Sequence, residues 1–289
     1  MQRVMVIGAT GYLGKHVIKE LVSQGYKTNA LVRNEKKISG FQSINIQEVD
    51  FLNKQTLTGM LNQTDVLISC LGITRQQDGL SYMDVDYQAN LNVLEEAKAS
   101  GVKKIIFVSV FKGDLFKKIS LCAAKEKFVS EVKKSGLEYC IVRPTGFFSD
   151  MSDFLDMAIK GKVYLFGDGK CTINPIHGKD LAIEILKQLP FNKQLPKELN
   201  IGGPVAYTHK ELAELAFKSL QTSTQVTFIP DFFRWLTLQL GKVFLSTKTF
   251  GPIEFFLSLM SVDMTAPYFG NKRIEDFFNE QVESKGLKK

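Results

Sequence analysis

The sequence has few of the residues that build metal centres or disulfide frameworks, with four cysteines and three histidines among 289 residues. No pair of cysteines and no group of histidines has the spacing typical of a metal site, so we expect no metal. The cysteines are predicted to be buried free thiols in a reducing cytoplasm. A strand-like run begins almost at Met1, so we also expect no leader peptide.

The sequence also lacks an uninterrupted apolar run long enough to cross a membrane. Residues 232–260 are dense in Phe, Leu and Trp, but charged residues at positions 234, 242, 248 and 254 break the run. Each remaining stretch falls short of the about 20 apolar residues that a spanning helix needs. We expect this segment to be packed in a substrate lobe. A homo-oligomer interface and peripheral contact with a membrane surface stay open as alternatives.

Basic residues are in excess, and the net charge is +7 with an isoelectric point near 9.0. The lysines are scattered among different predicted elements, and no basic stretch is interleaved with aromatic residues. Because a nucleic-acid site requires such clustering, we expect no nucleic-acid partner. The sequence predicts a lysine-rich solvated surface and a small-molecule substrate instead.

The most informative stretch is a glycine turn close to the start of the chain. An apolar run ending at Ile7 precedes glycines at Gly8, Gly11 and Gly14, and helix-period apolar residues follow. Strand, glycine turn and helix form the phosphate-binding unit of dinucleotide folds, because the backbone approaches the pyrophosphate and the helix start offers free N–H groups. The alternative is a tight turn with no ligand. The context favours a nucleotide site.

Strand-like runs alternate with helix-period segments over the first half of the chain. The predicted strands cover residues 4–7, 27–32, 44–49, 66–72, 104–110 and 137–142. Helices are predicted from a cap at Asn53 through Leu61, over residues 82–100, and from a capping box at residues 208–211 through Leu220. Helices between such strands imply crossover connections and a parallel sheet. We therefore predict an α/β fold, a Rossmann-type doubly wound parallel sheet over residues 1–150. Residues 151–289 are predicted to form a small mixed C-terminal substrate lobe, with some segments packing back on the core.

Ligands of such sheets bind at the carboxyl ends of the strands, so the strand ends define a predicted cofactor site. Apart from a lysine considered below, the predicted cofactor-binding residues are Gly8, Thr10, Gly11, Tyr12, Leu13, Gly14, Arg33, Asp50, Phe51, Leu71, Gly72, Pro144, Thr145 and Phe147. The glycine turn is assigned to the pyrophosphate, residues 50–51 to the adenine, and residues 71–72 to the ribose side. Residues 144–147 are expected to flank the nicotinamide.

Arg33 bears on the choice of cofactor. A carboxylate at the end of the second strand would accept bonds from the adenosine ribose hydroxyls of NAD, and none stands there. A guanidinium with Lys36 and Lys37 nearby suits a 2′-phosphate through charge-assisted hydrogen bonds. We expect NADP(H) to be preferred, with NAD(H) as the alternative.

The chain resembles an atypical short-chain dehydrogenase/reductase, on the segment 8–14, Ser109 and Lys125. Further segments resemble divinyl-chlorophyllide 8-vinyl reductases: residues 86–90, 124–128, 142–148, 166–170, 201–204, 268–270 and 275–278. The resemblance covers nearly the whole chain. It implies an NAD(P)-binding reductase, with Lys125 anchoring the cofactor and acting with Ser109 as a catalytic residue. It also suggests a bulky conjugated substrate.

The chain departs from the superfamily pattern at position 121. The usual Tyr-x-x-x-Lys motif would place a tyrosine there, and this chain has Leu121 four residues before Lys125. Proton donation by tyrosine from that position is impossible, so water or another acid must act. Tyr87, Tyr139 and Asp150 are unranked candidates.

Three functions stay open at this point. The first is NAD(P)H-dependent hydride transfer to a bulky conjugated or carbonyl or quinone-like substrate. The second is a non-catalytic NAD(P)-binding redox sensor, similar to the NmrA-type regulators, which Leu121 favours. The third is an assembly or accessory subunit at a membrane, which the aromatic C-terminal region and the basic surface favour.

Overall fold

The computed structural model describes residues 2–38, 40–41, 43–74, 79–191 and 196–287. The strands are β1 Arg3–Ile7, β2 Lys27–Val32, β3 Asn45–Glu48, β4 Val66–Ser69, β5 Lys104–Val108, β6 Glu138–Pro144, β7 Val163–Phe166, β8 Thr172–Ile173, β9 Glu198–Ile201, β10 Tyr207–Thr208 and β11 Val226–Ile229. The α-helices are α1 Tyr12–Ser23, α2 Lys54–Leu57, α3 Asn90–Ala99, α4 Ser120–Lys134, α5 Ser152–Ile159, α6 Gly178–Leu186, α7 His209–Ser219, α8 Asp231–Phe244, α9 Thr247–Leu259 and α10 Ile274–Ser284.

Seven of the described strands form one sheet in the order β3-β2-β1-β4-β5-β6-β9. Strand β1 pairs in parallel with both β2 and β4, and Val6 stands opposite Ala30 and Ile68. The order reverses direction next to β1, so the turn that follows β1 lies at the topological switch point where such sheets bind ligands. The prediction of a Rossmann-type parallel sheet is confirmed.

The chain divides into two compact units. The first contains residues 1–143 and 181–199, and the second contains residues 144–180 and 200–289. The core of the first unit is built from strand residues such as Met5, Leu67 and Phe107 and from the helix residues Leu94 and Phe128. Such continuous apolar strands are typical of a parallel sheet covered on both faces.

The second unit has a core of its own, in which Phe148, Leu155, Leu165, Phe217 and Phe278 are buried. Its strands form two small sheets, an antiparallel pair of β8 with β10 and a parallel pair of β7 with β11. Helix α7 begins with a capping box, in which Thr208 accepts from the Glu211 N–H and Glu211 accepts from the Thr208 N–H. The sequence pattern predicted this helix start.

The structure differs from the sequence pattern in its details. The helix predicted to run from the cap at Asn53 through Leu61 has only one regular turn, α2, and turns follow it. The helix predicted over residues 82–100 starts with a π-helical segment, Met83–Ala89, before α3. Strand β9 was not predicted, because its four residues alternate between polar and apolar in a lysine-rich stretch.

The aromatic segment 232–260 is packed along only part of its length. Helix α9 buries Phe250 and Leu257, as the prediction of a packed lobe required. Helix α8 instead exposes most of its large apolar side chains. Within the described residues, none of the helices has both the length and the hydropathy that a membrane crossing requires.

Candidate functional site

Two glycines of the predicted phosphate turn are required by the fold itself. Gly8 has a φ of +74°, and a Cβ there would lie 2.5 Å from the carbonyl carbon of Cys70. A Cβ on Gly14 would overlap the carbonyl group of Gly8. Both positions bring backbone against backbone where β1 turns into α1, so their glycines are explained without a ligand.

Gly11 is different, because the packing of the protein does not require a glycine there. Its φ of −75° and ψ of 170° suit any residue. A Cβ on Gly11 would meet the Gly8 carbonyl oxygen at 3.3 Å, a milder contact than those of a Cβ at Gly8 or Gly14. Gly11 is exposed and precedes the first turn of α1, which carries no acidic residue. The turn therefore fits a pyrophosphate, with room over Gly11 and a helix N-terminus facing the anion.

The remaining residues of the turn are placed by β1 and α1. Thr10 and Tyr12 are half-buried, whereas Leu13 is buried in the core. The Tyr12 ring stacks edge-on against His16, one helical turn later, with 5.0 Å between the ring centroids. Leu13 can therefore contribute only backbone atoms to a ligand.

The residues predicted for the adenosine end lie after β2 and β3. Arg33 is exposed directly after β2. Asp50 is exposed after β3, and its carboxylate accepts a hydrogen bond from the Leu52 N–H at 2.9 Å. Phe51 is only 3% exposed and packs in the core, so its backbone and not its ring is available to an adenine. The assigned roles of these three residues stay predictions.

The loop after β4 is held by a buried asparagine. Asn90 accepts a hydrogen bond from the Ser69 hydroxyl at 2.6 Å and donates to the Leu71 carbonyl oxygen at 3.2 Å. Leu71 is buried, and Gly72 is exposed beside it. The asparagine fixes the path of the chain at the predicted ribose contact, next to the glycine turn after β1.

Lys125 extends from α4 to this same loop. Its ammonium lies 3.0 Å from Asp86 Oδ1 and 3.5 Å from the Val108 carbonyl oxygen. A Cβ on Gly72 would lie 2.6 Å from Asp86 Oδ1 and 2.8 Å from Lys125 Nζ, so a side chain at position 72 would have to displace this ion pair. Burial raises the pKa of Asp86 above its ordinary value, although the Lys125 ammonium opposes the rise. A partly accessible ammonium is thus fixed at the carboxyl edge of the sheet.

Ser109, the second predicted catalytic residue, belongs to a buried polar cluster. Its hydroxyl donates to Glu126 Oε1 at 3.0 Å. Arg143 contacts both Glu126 oxygens, at 2.5 and 3.0 Å, and its Nε donates to Glu198 at 2.9 Å. Burial lowers the pKa of Arg143, but the bonds to these two carboxylates outweigh burial and raise it. The Ser109 proton is therefore held within the protein, and the catalytic role of Ser109 stays a prediction.

The predicted nicotinamide residues Pro144, Thr145 and Phe147 follow one another in the second unit. Pro144 and Thr145 are buried, and the Thr145 hydroxyl donates to the Asn174 carbonyl oxygen at 2.6 Å. Phe147 is half-buried, and its N–H donates to Asp150 at 2.9 Å. These bonds fix the backbone of the segment, and its predicted contact with the nicotinamide stays a prediction.

Leu121 occupies the position where the short-chain reductase pattern has tyrosine. It is 1% exposed and one helical turn before Lys125 on α4. Tyr87 is half-buried under the Lys127 ammonium, which lies 4.1 Å from the centre of its ring. Within the described part of the chain, His, Cys, Asp and Glu side chains form no group of three that could hold a metal ion.

The buried polar partners of the site have no role predicted from the sequence; they are Asp86, Asn90, Glu126 and Arg143. All four occur in segments that carried the family resemblance. A polar residue within an otherwise apolar, helix-period segment could have indicated a buried polar contact, because a buried polar side chain needs a hydrogen-bond partner. The side-chain partners named above are 17 to 55 residues away in the chain, so the pattern could not identify the pairs.

A known protein family and named relatives match this chain. A family model described as NAD(P)H-binding matches residues 8–170. The chloroplastic divinyl chlorophyllide a 8-vinyl-reductase of Arabidopsis thaliana is 30% identical over 96% of this chain and 76% of its own length. The photosystem II assembly factor Ycf39 of Guillardia theta is 25% identical over 81% of this chain and 76% of its own.

Solved structures share the fold. The crystal structure of the NADPH-dependent quinone oxidoreductase QOR2 of Escherichia coli, complexed with NADPH, has a TM-score of 0.74 and 19% identity, over 98% of this chain and 99% of that one. The family match includes the glycine turn, the Gly72 loop and Lys125. The chain belongs to the NAD(P)H-binding family and is an atypical short-chain dehydrogenase/reductase with a Rossmann fold.

Proposed function

We propose that the protein is an NADPH-dependent reductase acting on a bulky conjugated or quinone-like acceptor. The observation that carries the proposal is the Lys125 ammonium, held by Asp86 beside Gly72 at the carboxyl edge of β4. A cation fixed at this edge is suited to a ribose hydroxyl of the cofactor. NADPH, when bound, supplies the hydride, and the protein supplies orientation and electrostatics.

The phosphates of the cofactor would be held at two places in the first unit. The backbone of the glycine turn and the start of α1 would bind the pyrophosphate, with Gly11 leaving the necessary room. The exposed Arg33 would pair with a 2′-phosphate and favour NADPH over NADH. This preference is supported by the absence of a carboxylate at the end of β2.

The ion pair of Lys125 with Asp86 would position the nicotinamide end. The carboxylate is fully buried, whereas the Lys125 side chain retains 13% exposure, so the ammonium can donate to a ligand while it stays paired. Leu121 carries no proton to give, so the proton that accompanies hydride transfer would come from solvent or from Tyr87, Tyr139 or Asp150.

The class of acceptor is suggested by relatives and not by the geometry. The relative in Arabidopsis thaliana is named for reduction of a vinyl group on divinyl chlorophyllide a. A vinyl group conjugated to a tetrapyrrole accepts hydride without a carbonyl, which suits a site whose usual tyrosine is replaced by leucine. We therefore rank conjugated alkenes first and quinones second.

The test follows NADPH oxidation by absorbance with quinones, conjugated enones and vinyl tetrapyrroles as acceptors. We expect turnover with at least one conjugated acceptor, and a loss of about 10²-fold or more in kcat/KM in the Lys125→Ala protein. Lys134→Ala, which removes an exposed lysine at the end of the same helix, serves as the control. Wild-type turnover by the Lys125→Ala protein would place the reaction elsewhere.

The second candidate is an NAD(P)-binding assembly or accessory protein without turnover. The observation that favours it is the buried Leu121, together with the likeness to a photosystem II assembly factor. Tight NADPH binding without oxidation by any acceptor would favour this candidate.

The compartment is also a proposal. All four cysteines are free; Cys122 and Cys140 are buried, but Cys70 and Cys171 are only half-buried, which corrects the prediction that the cysteines are buried. Burial raises the pKa of Cys70 and of Cys140 to about 12. Free thiols suit a reducing compartment. The cytoplasm stays our prediction.

A further inference from the structure

Helix α8 presents an apolar face to solvent along its whole length. Val243 and Phe244 are 75% and 77% exposed, and five further large apolar side chains of this helix and its end are more than a third exposed: Phe232, Phe233, Trp235, Leu240 and Leu245. Phe232 contacts the rings of both Phe233 and Trp235, with 5.8 Å between centroids in each case. Monomeric proteins rarely leave so continuous an apolar surface uncovered unless it binds something.

The exposed face lies opposite the face by which α8 packs on the protein. Gly241 is buried, and a Cβ there would lie 2.5 Å from the ring of Phe250 in α9. At 100° per residue, Leu238 and Gly241 share this packed face. Phe232, Leu240 and Val243 fall on the other side of the helix. The apolar face is therefore a regular feature of α8 and not a frayed end.

Few polar groups lie near the face. Asp231 is paired with Arg234 at 2.6 Å, and the Thr237 hydroxyl donates to the Phe233 carbonyl oxygen at 2.8 Å. Gln239 is the other polar side chain on the face. Lys242 and Lys248 are exposed at its flank and beyond its end. The face itself therefore carries aromatic and aliphatic side chains and no acidic one, and positive charge lies beside it.

We propose that α8 binds an anionic lipid surface and lies in the plane of the headgroups. Phe, Trp and Leu on one side of a helix with flanking lysines are the composition of interfacial helices. The net charge of +7 adds a long-range attraction to anionic lipid. The 14-residue helix is about 21 Å long, which suits contact along a surface.

Two features favour lipid over a second protein surface. A protein interface carries about one hydrogen bond per 100–200 Å², and this face offers almost no free donor or acceptor. The lysines at its flank and beyond its end, Lys242 and Lys248, are exposed and suit the anionic headgroups of a lipid layer. A lipid headgroup layer satisfies both features.

The chain contains a single tryptophan, Trp235, and because it lies on this face, its fluorescence reports directly on what the face contacts. The full chain would be mixed with vesicles of phosphatidylcholine, alone or with phosphatidylglycerol. We expect a blue shift of the tryptophan emission and co-sedimentation with the mixed vesicles, both weakened by salt. Lys242→Gln and Lys248→Gln should each lower the affinity for anionic vesicles by roughly fivefold.

Two further variants separate this face from exposed apolar surface in general. The double variant Val243→Glu and Phe244→Glu should lower vesicle affinity by about tenfold or more. Leu115→Glu alters an apolar side chain of the first unit that is 71% exposed and should bind as the wild type does. Because all three side chains are exposed, unchanged melting curves are expected.

The proposal fails if the chain stays in the supernatant with both kinds of vesicle and its emission does not move. It also fails if Leu115→Glu weakens binding as much as the double variant does. A dimer in vesicle-free buffer that the double variant dissociates would assign the face to a second copy and overturn the lipid assignment. None of these outcomes depends on whether the protein is a reductase.

Discussion

The Lys125 ammonium lies 3.0 Å from Asp86 Oδ1, and the carboxylate is fully buried in the first unit. Removal of the lysine leaves a buried carboxylate without its cation. Lys125→Ala should therefore lower the free energy of unfolding by about 3 kcal/mol near neutral pH, measured by urea denaturation. Lys103→Ala, which breaks an exposed pair with Asp65, should cost less than about 1 kcal/mol.

The cost of Lys125→Ala should depend on pH. Burial holds the folded pKa of Asp86 above its ordinary value of 3.8, so the folded state binds the proton more tightly than the unfolded state. The stability gained by protonating Asp86 in the folded state is therefore full below pH 3.8 and is lost as pH rises from there through the folded pKa. The loss should be smaller in acid, and Asp86→Asn in the same chain should restore most of it. A loss equal at all pH values would contradict the ion-pair account.

The glycine turn predicts opposite effects for two neighbouring glycines. Gly11→Val should abolish NADPH binding with an unchanged melting temperature, because a side chain would fill the space over the turn. Gly14→Ala should lower the melting temperature, because its Cβ would overlap the backbone of Gly8. Fluorescence titration and calorimetry measure both. Normal affinity in a folded Gly11→Val protein would show that the turn is only structural.

Arg33 should determine the choice between the two nicotinamide cofactors. Arg33→Ala should cost about 1–3 kcal/mol in NADPH binding and leave NADH binding nearly unchanged. The control is Arg3→Ala, which removes an arginine at the amino end of β1, the sheet edge away from the glycine turn. Equal affinities of the wild-type protein for NADPH and NADH would refute the NADP assignment.

Two histidines should make the protein sensitive to mild acid. Burial lowers the pKa of His177 and of His209 below the ordinary value of 6.5. As pH falls, these histidines take up protons in the unfolded chain before they do so in the folded protein. Their contribution to stability is therefore full above about pH 6.5 and is lost as pH falls below it. His209→Gln should flatten the fall in melting temperature. A melting temperature independent of pH in this window would contradict the burial of these side chains.

The fold could be predicted from local pattern because each strand of the parallel sheet is a continuous apolar run between turns. Strand β2 has the predicted bounds, Lys27–Val32, and β5 ends two residues earlier than predicted. Strand β9 could not be predicted, because backbone pairing with β6 and not its own apolar content holds it. Ile141 donates there to the Lys197 carbonyl oxygen at 2.8 Å.

The exposed face of α8 could not be predicted from the sequence for a different reason. The same density of Phe and Leu is found in α9, which is mostly packed, and in α8, which is not. Periodicity gives the faces of a helix, but which face is covered depends on contacts distant in sequence. We first predicted a packed lobe, and this prediction is wrong for the exposed face of α8.

In the site, sequence order revealed single residues but not their pairs. The glycine turn and Lys125 were identifiable from spacing and family resemblance. Asp86, the partner of Lys125, lies 39 residues earlier, and only the folded chain shows that the two meet. The same holds for Ser109, whose hydroxyl is engaged by Glu126 and so is held inside the protein.

The central claim is hydride transfer, and isotope labelling tests it most directly. The protein would be incubated with NADPH carrying deuterium on the reactive C4 position of the nicotinamide, in turn in each stereochemical position, together with a conjugated acceptor. We predict that mass spectrometry finds one deuterium in the reduced acceptor from one of the two labelled cofactors. Tight binding of both cofactors with no deuterium in any acceptor would contradict the account and identify a protein that binds NADPH without using it.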